Sequence, residues 1–320
     1  IVGLGMRGQG AVERLSFIAE TKIVALVDVR QANVDSAQKT LERMGRPKAD
    51  GYIGAESYKE VCERNDIDLI YVCTHWDLHA PIAVYAMEHG KHVATEIPGA
   101  ISVEEAWQLV NTAERTRRHM MMLENCVYDF FEMATLNMAQ KGVFGELVHA
   151  EGAYIHDLRW LLFDEKNGYW DMWRLKHNEL KNGCLYPMHG LGPVAHALNI
   201  HRGDRMEYLV SVSSDQFGLT AYAKEKFGDT SSYATRNYAR GDMNTTIIKT
   251  ENGKTINIQH DVTSPRPYSR IHMLSGTKGF AQKWPKKGIA LEPNGHSYLS
   301  DAALDSILKV YEHPIVTEIG

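Results

Sequence analysis

A glycine triad at the start of the chain, Gly3-Leu4-Gly5-Met6-Arg7-Gly8, restricts the fold more than any other feature. It spells G-x-G-x-x-G, a spacing that carries weight only between a strand and a helix. Both are expected here: an apolar run precedes it, and Ala11, Leu15 and Ile18 follow at helical spacing. Asp28 stands 20 residues after Gly8, at the end of the next apolar run, residues 23–27. Each part has a physical task. Glycines let the backbone close on a pyrophosphate, the helix N-terminus faces its charge, and the carboxylate accepts from the adenosine ribose hydroxyls. The pattern predicts a dinucleotide site built on Gly3, Gly5, Gly8 and Asp28. A carboxylate would repel a 2′-phosphate, so Asp28 favours NAD over NADP, although Arg30 nearby weakens that preference.

The first 125 residues alternate short apolar runs with helical patterns, the rhythm of βαβ units and a parallel sheet. Strands are expected at 23–27, 68–74, 92–95 and 120–123. Ser102 and Glu105 give an S-x-x-E capping signal ahead of an amphipathic stretch ending near Arg118. Ligands of such sheets bind outside the carboxyl ends of the strands. Three strand ends therefore join the cofactor site as candidates: Thr74 to His79 with Trp76, Asp77 and Leu78 between, then Glu96-Ile97-Pro98, then Glu124-Asn125. Beyond a helix at 129–141 the rhythm changes to strands without crossover helices, at 147–156, 208–213, 244–249, 255–262 and 271–275. A tryptophan-rich segment, 161–185, reads as irregular, a lid or pocket wall. The expected architecture is α/β: a doubly wound parallel Rossmann sheet over 1–126, then an α+β domain with a large mixed or antiparallel sheet over 127–320.

Composition closes off other classes. With 44% hydrophobic and 23% charged residues and a formal net charge of −5, the chain has no electrostatic pull toward nucleic acid or anionic membranes. No apolar run approaches the roughly 18 residues of a membrane helix. The four cysteines lack metal spacing and are expected as free thiols, and no metal site is expected. Residue 1 already lies in an apolar run feeding the glycine turn, so a trimmed N-terminus is expected, as is missing sequence past Gly320, and an exported or a cytoplasmic location stays open.

The strand-end pattern followed by a sheet domain resembles the glucose–fructose oxidoreductase and inositol dehydrogenase superfamily over nearly the whole chain. Most dehydrogenases of that group carry Glu-Lys-Pro where this chain has Glu96-Ile97-Pro98, so the lysine that assists alcohol oxidation is absent. Five blocks give a narrower match: residues 3–10 (GLGMRGQG), 124–131 (ENCVYDFF), 152–159 (GAYIHDLR), 186–194 (YPMHGLGPV) and 273–285 (MLSGTKGFAQKWP). Together they resemble the NAD-dependent α-N-acetylgalactosaminidases. That resemblance implies NAD contacts at Met6, Arg7, Asp28, Trp76, Asp77, Leu78, His79, Glu96, Ile97 and Asn125. It implies sugar contacts at Tyr154, Arg174, Tyr186, Pro187, Met188, His189 and Tyr268. It further implies a retaining exo-glycosidase that oxidises the sugar at C3, removes the acidified C2 proton, expels the C1 substituent, adds water and returns the hydride from NADH to the C3 ketone.

The residues agree with such chemistry. Glycosidases usually need two carboxylates about the scissile bond, NAD-dependent ones excepted. The second domain offers Tyr186 and His189, three apart, with no obvious carboxylate pair. Sequence does not divide the C3-hydroxyl and C2-proton jobs between them; His189 is favoured for the C3 hydroxyl and Tyr186 for C2 deprotonation or substrate positioning. Arg174 offers forked donors for hydroxyls or an acetamide carbonyl. Tyr268 follows the stiff turn Pro265-Arg266-Pro267. Strand alternation puts Tyr154 on one face with Val148, Ala150, Gly152 and His156. Trp160, Trp170 and Trp173 either stack on sugar or fill core. Two rivals stay open: a sugar dehydrogenase with net cofactor turnover, and a non-catalytic NAD-binding regulator. Exposed sheet faces of the superfamily often mediate dimers, which makes a homodimer an expectation by analogy.

Overall fold

The structure is a computed structural model and describes residues 1–319. Its contacts divide the chain into two compact units, Ile1–Leu123 and Glu124–Gly320. The sequence expectation put that division after residue 126.

The first unit runs α1 (Met6–Ser16), β1 (Ala25–Asp28), α2 (Gln31–Arg43), β2 (Asp50–Ile53), α3 (Tyr58–Cys62), β3 (Leu69–Val72), α4 (His79–Glu88), β4 (His92–Thr95), α5 (Val103–Thr116) and β5 (Met120–Met122). All its ladders are parallel: β1 with β2, β3 with β4, and β4 with β5. Val2 bridges Val27 on one side and Val72 on the other, so the residues before the glycine turn hold the centre of the sheet. Every residue of β1 is buried, as expected of a strand covered on both faces. The capping signal at α5 is realised: the Ser102 hydroxyl accepts from Glu105 N–H at 3.1 Å. The Glu105 carboxylate in turn accepts from Ile101 N–H at 2.8 Å.

The second unit continues with α6 (Phe130–Gln140), β6 (Leu147–Ile155), α7 (Arg159–Leu162), α8 (Trp173–Leu180), α9 (Met188–Ala197), β7 (Met206–Ser213), α10 (Gly218–Phe227) and β8 (Asn244–Thr250). Then come β9 (Thr255–Asp261), β10 (Met273–Gly276), β11 (Gly279–Gln282), β12 (Gly288–Leu291), α11 (Asp301–Val310) and α12 (Pro314–Ile319). Seven strands form one mixed sheet in the order β12-β11-β10-β6-β9-β8-β7, parallel only at β6–β9. Phe131, Met138 and Val194 from the helices pack with Ala150, Ile248, Ile256 and Leu274 from the sheet to make its core. The opposite face is open at β7, where Tyr208, Val210 and Val212 are exposed. Among the described residues no helix is long and apolar enough to cross a membrane.

One expectation fails here. The segment read as irregular, 161–185, contains α8 and takes in the last two residues of α7. Arg174, Leu175, His177 and Asn178 form the buried face of α8, so its inward stripe is mostly polar and hydrophobic periodicity could not reveal it.

Candidate active site

In the first unit the three glycines take three different roles. Gly3 adopts φ +86°, and a Cβ there would meet the Cys73 carbonyl at 2.7 Å. A Cβ on Gly8 would lie 2.0 Å from the Gly3 oxygen, so the third glycine lets α1 lie against the turn. Gly5 caps α1 with extended backbone, no side-chain cap, and nothing within 4 Å of its Cβ position. That leaves open approach to the first amides of α1, the arrangement an anionic pyrophosphate requires. Asp28 accepts from Leu4 N–H at 2.6 Å, Arg30 N–H at 2.9 Å and the Asn33 amide at 3.1 Å. The network holds its carboxylate beside the turn, and a carboxylate offers about four acceptor positions. These residues fit a bound dinucleotide.

The remaining cofactor candidates divide. Arg7 Nε lies 3.7 Å and Arg14 Nη2 3.9 Å from the Glu96 carboxylate, placing a charged cluster at the end of β4. Trp76, Asp77 and Leu78 form a short 3₁₀ turn after β3, with Trp76 buried and Asp77 exposed. His79 is buried, with Nδ1 2.6 Å from the Pro98 carbonyl and Nε2 3.0 Å from that of Thr74. Its imidazole is occupied in tying the ends of β3 and β4 together. Met6 is exposed on the first turn of α1, while Ile97 is buried. Asn125 opens a 3₁₀ turn, Asn125–Tyr128, in the second unit.

In the second unit the predicted sugar residues gather. Gly152 on β6 and Gly190 on α9 meet backbone to backbone: a Cβ on Gly152 would lie 2.3 Å from the Gly190 oxygen. This contact seats the first turn of α9 directly on β6 and brings His189 to Tyr154, ring centroids 5.1 Å apart. Tyr186, just ahead of the Pro187 cap, lies 5.0 Å from Tyr154 and 5.2 Å from His189. Met188 begins the helix. The Arg174 guanidinium, brought in by α8 and buried, sits 4.8 Å from the Tyr186 ring centroid and 6.0 Å from that of Tyr154. It donates to Tyr169 Oη at 2.8 Å. Tyr268 closes the group at 6.3 Å from Tyr154 and is 38% exposed, so the cluster opens on its side. Trp160 and Trp170 are exposed and fill no core, while Trp173 meets Tyr169 edge-on at 5.1 Å.

Three participants were missed as such by sequence. Glu124 had been read only as a strand-end residue of the cofactor crevice. Its carboxylate lies 2.8 and 3.0 Å from His189 Nδ1 and also accepts from Cys126 N–H at 2.8 Å. A carboxylate on Nδ1 fixes the tautomer with Nδ1 protonated and Nε2 carrying the lone pair. Cys126 Sγ sits 3.1 Å from the same Nδ1. Burial, then the Glu124 charge, pushes its thiol up to about 12, so it is protonated near neutrality. His156 Nδ1 lies 2.9 Å from Tyr154 Oη. Burial, then Arg174, lowers the His156 pKa, which keeps the imidazole neutral near pH 7.

An ionic box stands nearby. Lys283 bridges Asp129 and Glu132, each at 2.8 Å, and Arg270 also pairs with Asp129. Burial drives the Tyr268 phenol well above its ordinary value, so it stays protonated near neutrality.

Residues 1–124 match the oxidoreductase family model of the NAD-binding Rossmann fold, and residues 128–320 match that of the glycosyl hydrolase 109 C-terminal domain. The cofactor is therefore NAD. The chain is 54% identical to an alpha-N-acetylgalactosaminidase of Bacteroides fragilis, over all of this chain and 76% of that protein. It is 51% identical to a glycosyl hydrolase family 109 protein of Phocaeicola vulgatus, over all of this chain and 78% of the relative. Among solved structures, levoglucosan dehydrogenase with NADH and L-sorbose superposes with a TM-score of 0.70 at 16% identity, covering 93% of this chain and 77% of that one. The aldose-aldose oxidoreductase of Caulobacter crescentus gives 0.69 at 17% identity, covering 99% and 88%. At such identity these structures speak to the fold alone. An NAD-binding unit joined to the family's C-terminal domain, with relatives above 50% identity along the whole chain, makes this protein a member of glycosyl hydrolase family 109.

Proposed function

We propose that the protein is a retaining exo-glycosidase that releases terminal α-linked N-acetylgalactosamine from glycans by an NAD-dependent oxidation, elimination, hydration and reduction sequence. The observation that carries this reading is the identity of 54% along the entire chain to a relative named for that activity. The second unit supports it chemically. Among the described residues of the aromatic cluster, the proton-transfer groups are two histidines, His156 and His189, and tyrosines, with Glu124 committed to His189. That set suits proton removal from carbon and oxygen better than the two-carboxylate displacement of most glycosidases.

When bound, NAD supplies the two-electron acceptor that makes the sugar C3 alcohol a ketone and returns the electrons after water has added. Gly3, Gly5 and Gly8 with the N-terminus of α1 would hold the pyrophosphate, and Asp28 the adenosine ribose. His189, its Nδ1–H committed to Glu124, takes the C3 hydroxyl proton at Nε2. A ketone at C3 acidifies the C2 proton, and Tyr186 removes that proton or aligns the ring for its removal. Tyr154, hydrogen-bonded to His156, is the competing group. Arg174 holds sugar hydroxyls or the acetamide carbonyl from behind the two phenols. The neutral Tyr268 closes the exposed side.

The test is p-nitrophenol release from p-nitrophenyl α-N-acetylgalactosaminide by purified protein without added NAD. Release supports the glycosidase and shows that the cofactor co-purifies. No release even with NAD supplied, together with sugar-dependent NADH accumulation, replaces this reading by a sugar dehydrogenase.

A further inference from the structure

We propose that Glu124, Cys126 and His189 form a binding site for a thiophilic divalent cation of the zinc class, whose occupancy takes His189 out of proton transfer. The sequence conceals such a site, because the cysteine and histidine have no metal spacing along the chain. In space one carboxylate oxygen, one sulfur and one imidazole nitrogen all lie within 4.8 Å of one another, and all three residues are buried. Thiolate and imidazole select zinc, cobalt or cadmium over magnesium or calcium.

The spacing needs little adjustment. His189 Nδ1 stands 2.8 Å from Glu124 Oε1 and 3.1 Å from Cys126 Sγ. Tetrahedral bonds of about 2.0 Å to nitrogen and oxygen and 2.3 Å to sulfur separate ligand atoms by roughly 3.3–3.6 Å. The two separations to His189 Nδ1 therefore open by a few tenths of an ångström. The scaffold is already in place: Glu124 and Cys126 flank one 3₁₀ turn, joined by the Cys126 N–H to Glu124 bond, and His189 lies in the first turn of α9. Three protein ligands leave the fourth position to water. On binding, the thiol proton passes to solvent, and thiolate plus carboxylate balance the two charges of the ion.

The consequence follows from the imidazole tautomer. With Glu124 on Nδ1–H, Nε2 carries the lone pair. With a cation on Nδ1, neutral imidazole carries its proton at Nε2, where no lone pair remains to accept one. The inhibitory half rests on the role proposed for His189; the binding half does not.

Cobalt(II) titrated into the purified, NAD-loaded enzyme separates the two. One equivalent should produce a thiolate-to-cobalt charge-transfer band in the near ultraviolet. The band should vanish in Cys126→Ser and in His189→Gln, each first shown to be folded by circular dichroism. No band in the parent enzyme, or an undiminished band in both variants, overturns the site. Zinc at saturation should lower aryl-glycoside turnover by about 100-fold, the scale of a lost base, reversibly with chelator. A cobalt band with turnover unchanged under saturating zinc keeps the site and overturns the role of His189.

Discussion

Glu124 and His189 are 65 residues apart in sequence and touch at 2.8 Å, so the dyad is a product of tertiary structure. The motif containing Tyr186 and His189 drew attention to those side chains, and the block around Tyr154 to that phenol. Nothing local to Glu124 or Cys126 announced a partner on α9, and His156 appeared only as a same-face neighbour of Tyr154. Residue types can be read from a motif; pairings between distant segments cannot. The pairings are testable. His189→Ala should lower turnover by at least about 100-fold. Glu124→Gln should lower kcat by up to about 10⁴-fold with KM little changed, the scale on which a catalytic histidine suffers when its orienting carboxylate is lost. Partial recovery in Glu124→Asp would mark positioning; equal losses in both variants, or near-native rates, would remove Glu124 from that role. Tyr186→Phe and Tyr154→Phe separate the two phenols. The variant lacking the C2 base should stop exchange of the substrate C2 hydrogen with deuterated solvent while the C3 hydroxyl is still oxidised. Exchange that persists in Tyr186→Phe and vanishes in Tyr154→Phe transfers the role to Tyr154.

Elements were legible where burial followed hydrophobic period. The apolar run before Asp28 became the fully buried β1, and the Ser102/Glu105 signal became a capped α5. Helix α8 was not legible, because Arg174, His177 and Asn178 line its buried face. Of these, Arg174 reaches the aromatic cluster, and a functional residue on a buried face is where a pattern rule fails. The turn from the centre of the first sheet into α1 allows a sharper test, since its glycines differ in what surrounds them. Gly5→Ala adds a methyl into open space, so the unliganded protein should keep its Tm while NAD affinity falls. Gly8→Ala drives a methyl to 2.0 Å from the Gly3 oxygen and should cost roughly 1–3 kcal/mol of stability even without cofactor. Calorimetry with and without NAD reads both. Equal Tm losses in the two variants would show that Gly5 serves packing instead of ligand approach.

Taken whole, the second unit buries several titratable groups, among them His189, His260 and His272, and stability should register them. His272 is fully enclosed, with Nε2 2.9 Å from Thr135 Oγ1 and no partner found for Nδ1 among the described residues. Burial, then Lys283 and Arg270, lowers its pKa to about 3. The unfolded chain returns it to about 6.5. Between those values the unfolded state binds the proton and the folded state does not, so this stabilisation is complete above about pH 6.5 and is lost as pH falls toward 3. At pH 5 the loss is on the order of 2 kcal/mol. His260, buried and lowered well below its ordinary value by burial and then Arg240, acts in the same direction. Asp129, held near 2, adds its own loss only below about pH 4. Glu132, raised by burial, opposes the trend at acid pH, so a pH scan of the parent protein alone would understate the histidines. Subtraction removes that interference. His272→Gln keeps a donor for Thr135 and cannot titrate, so its urea midpoint should fall less between pH 7 and pH 5 than that of the parent, by the equivalent of about 2 kcal/mol. Parallel pH profiles for the two proteins would mean that His272 does not stay neutral through this range.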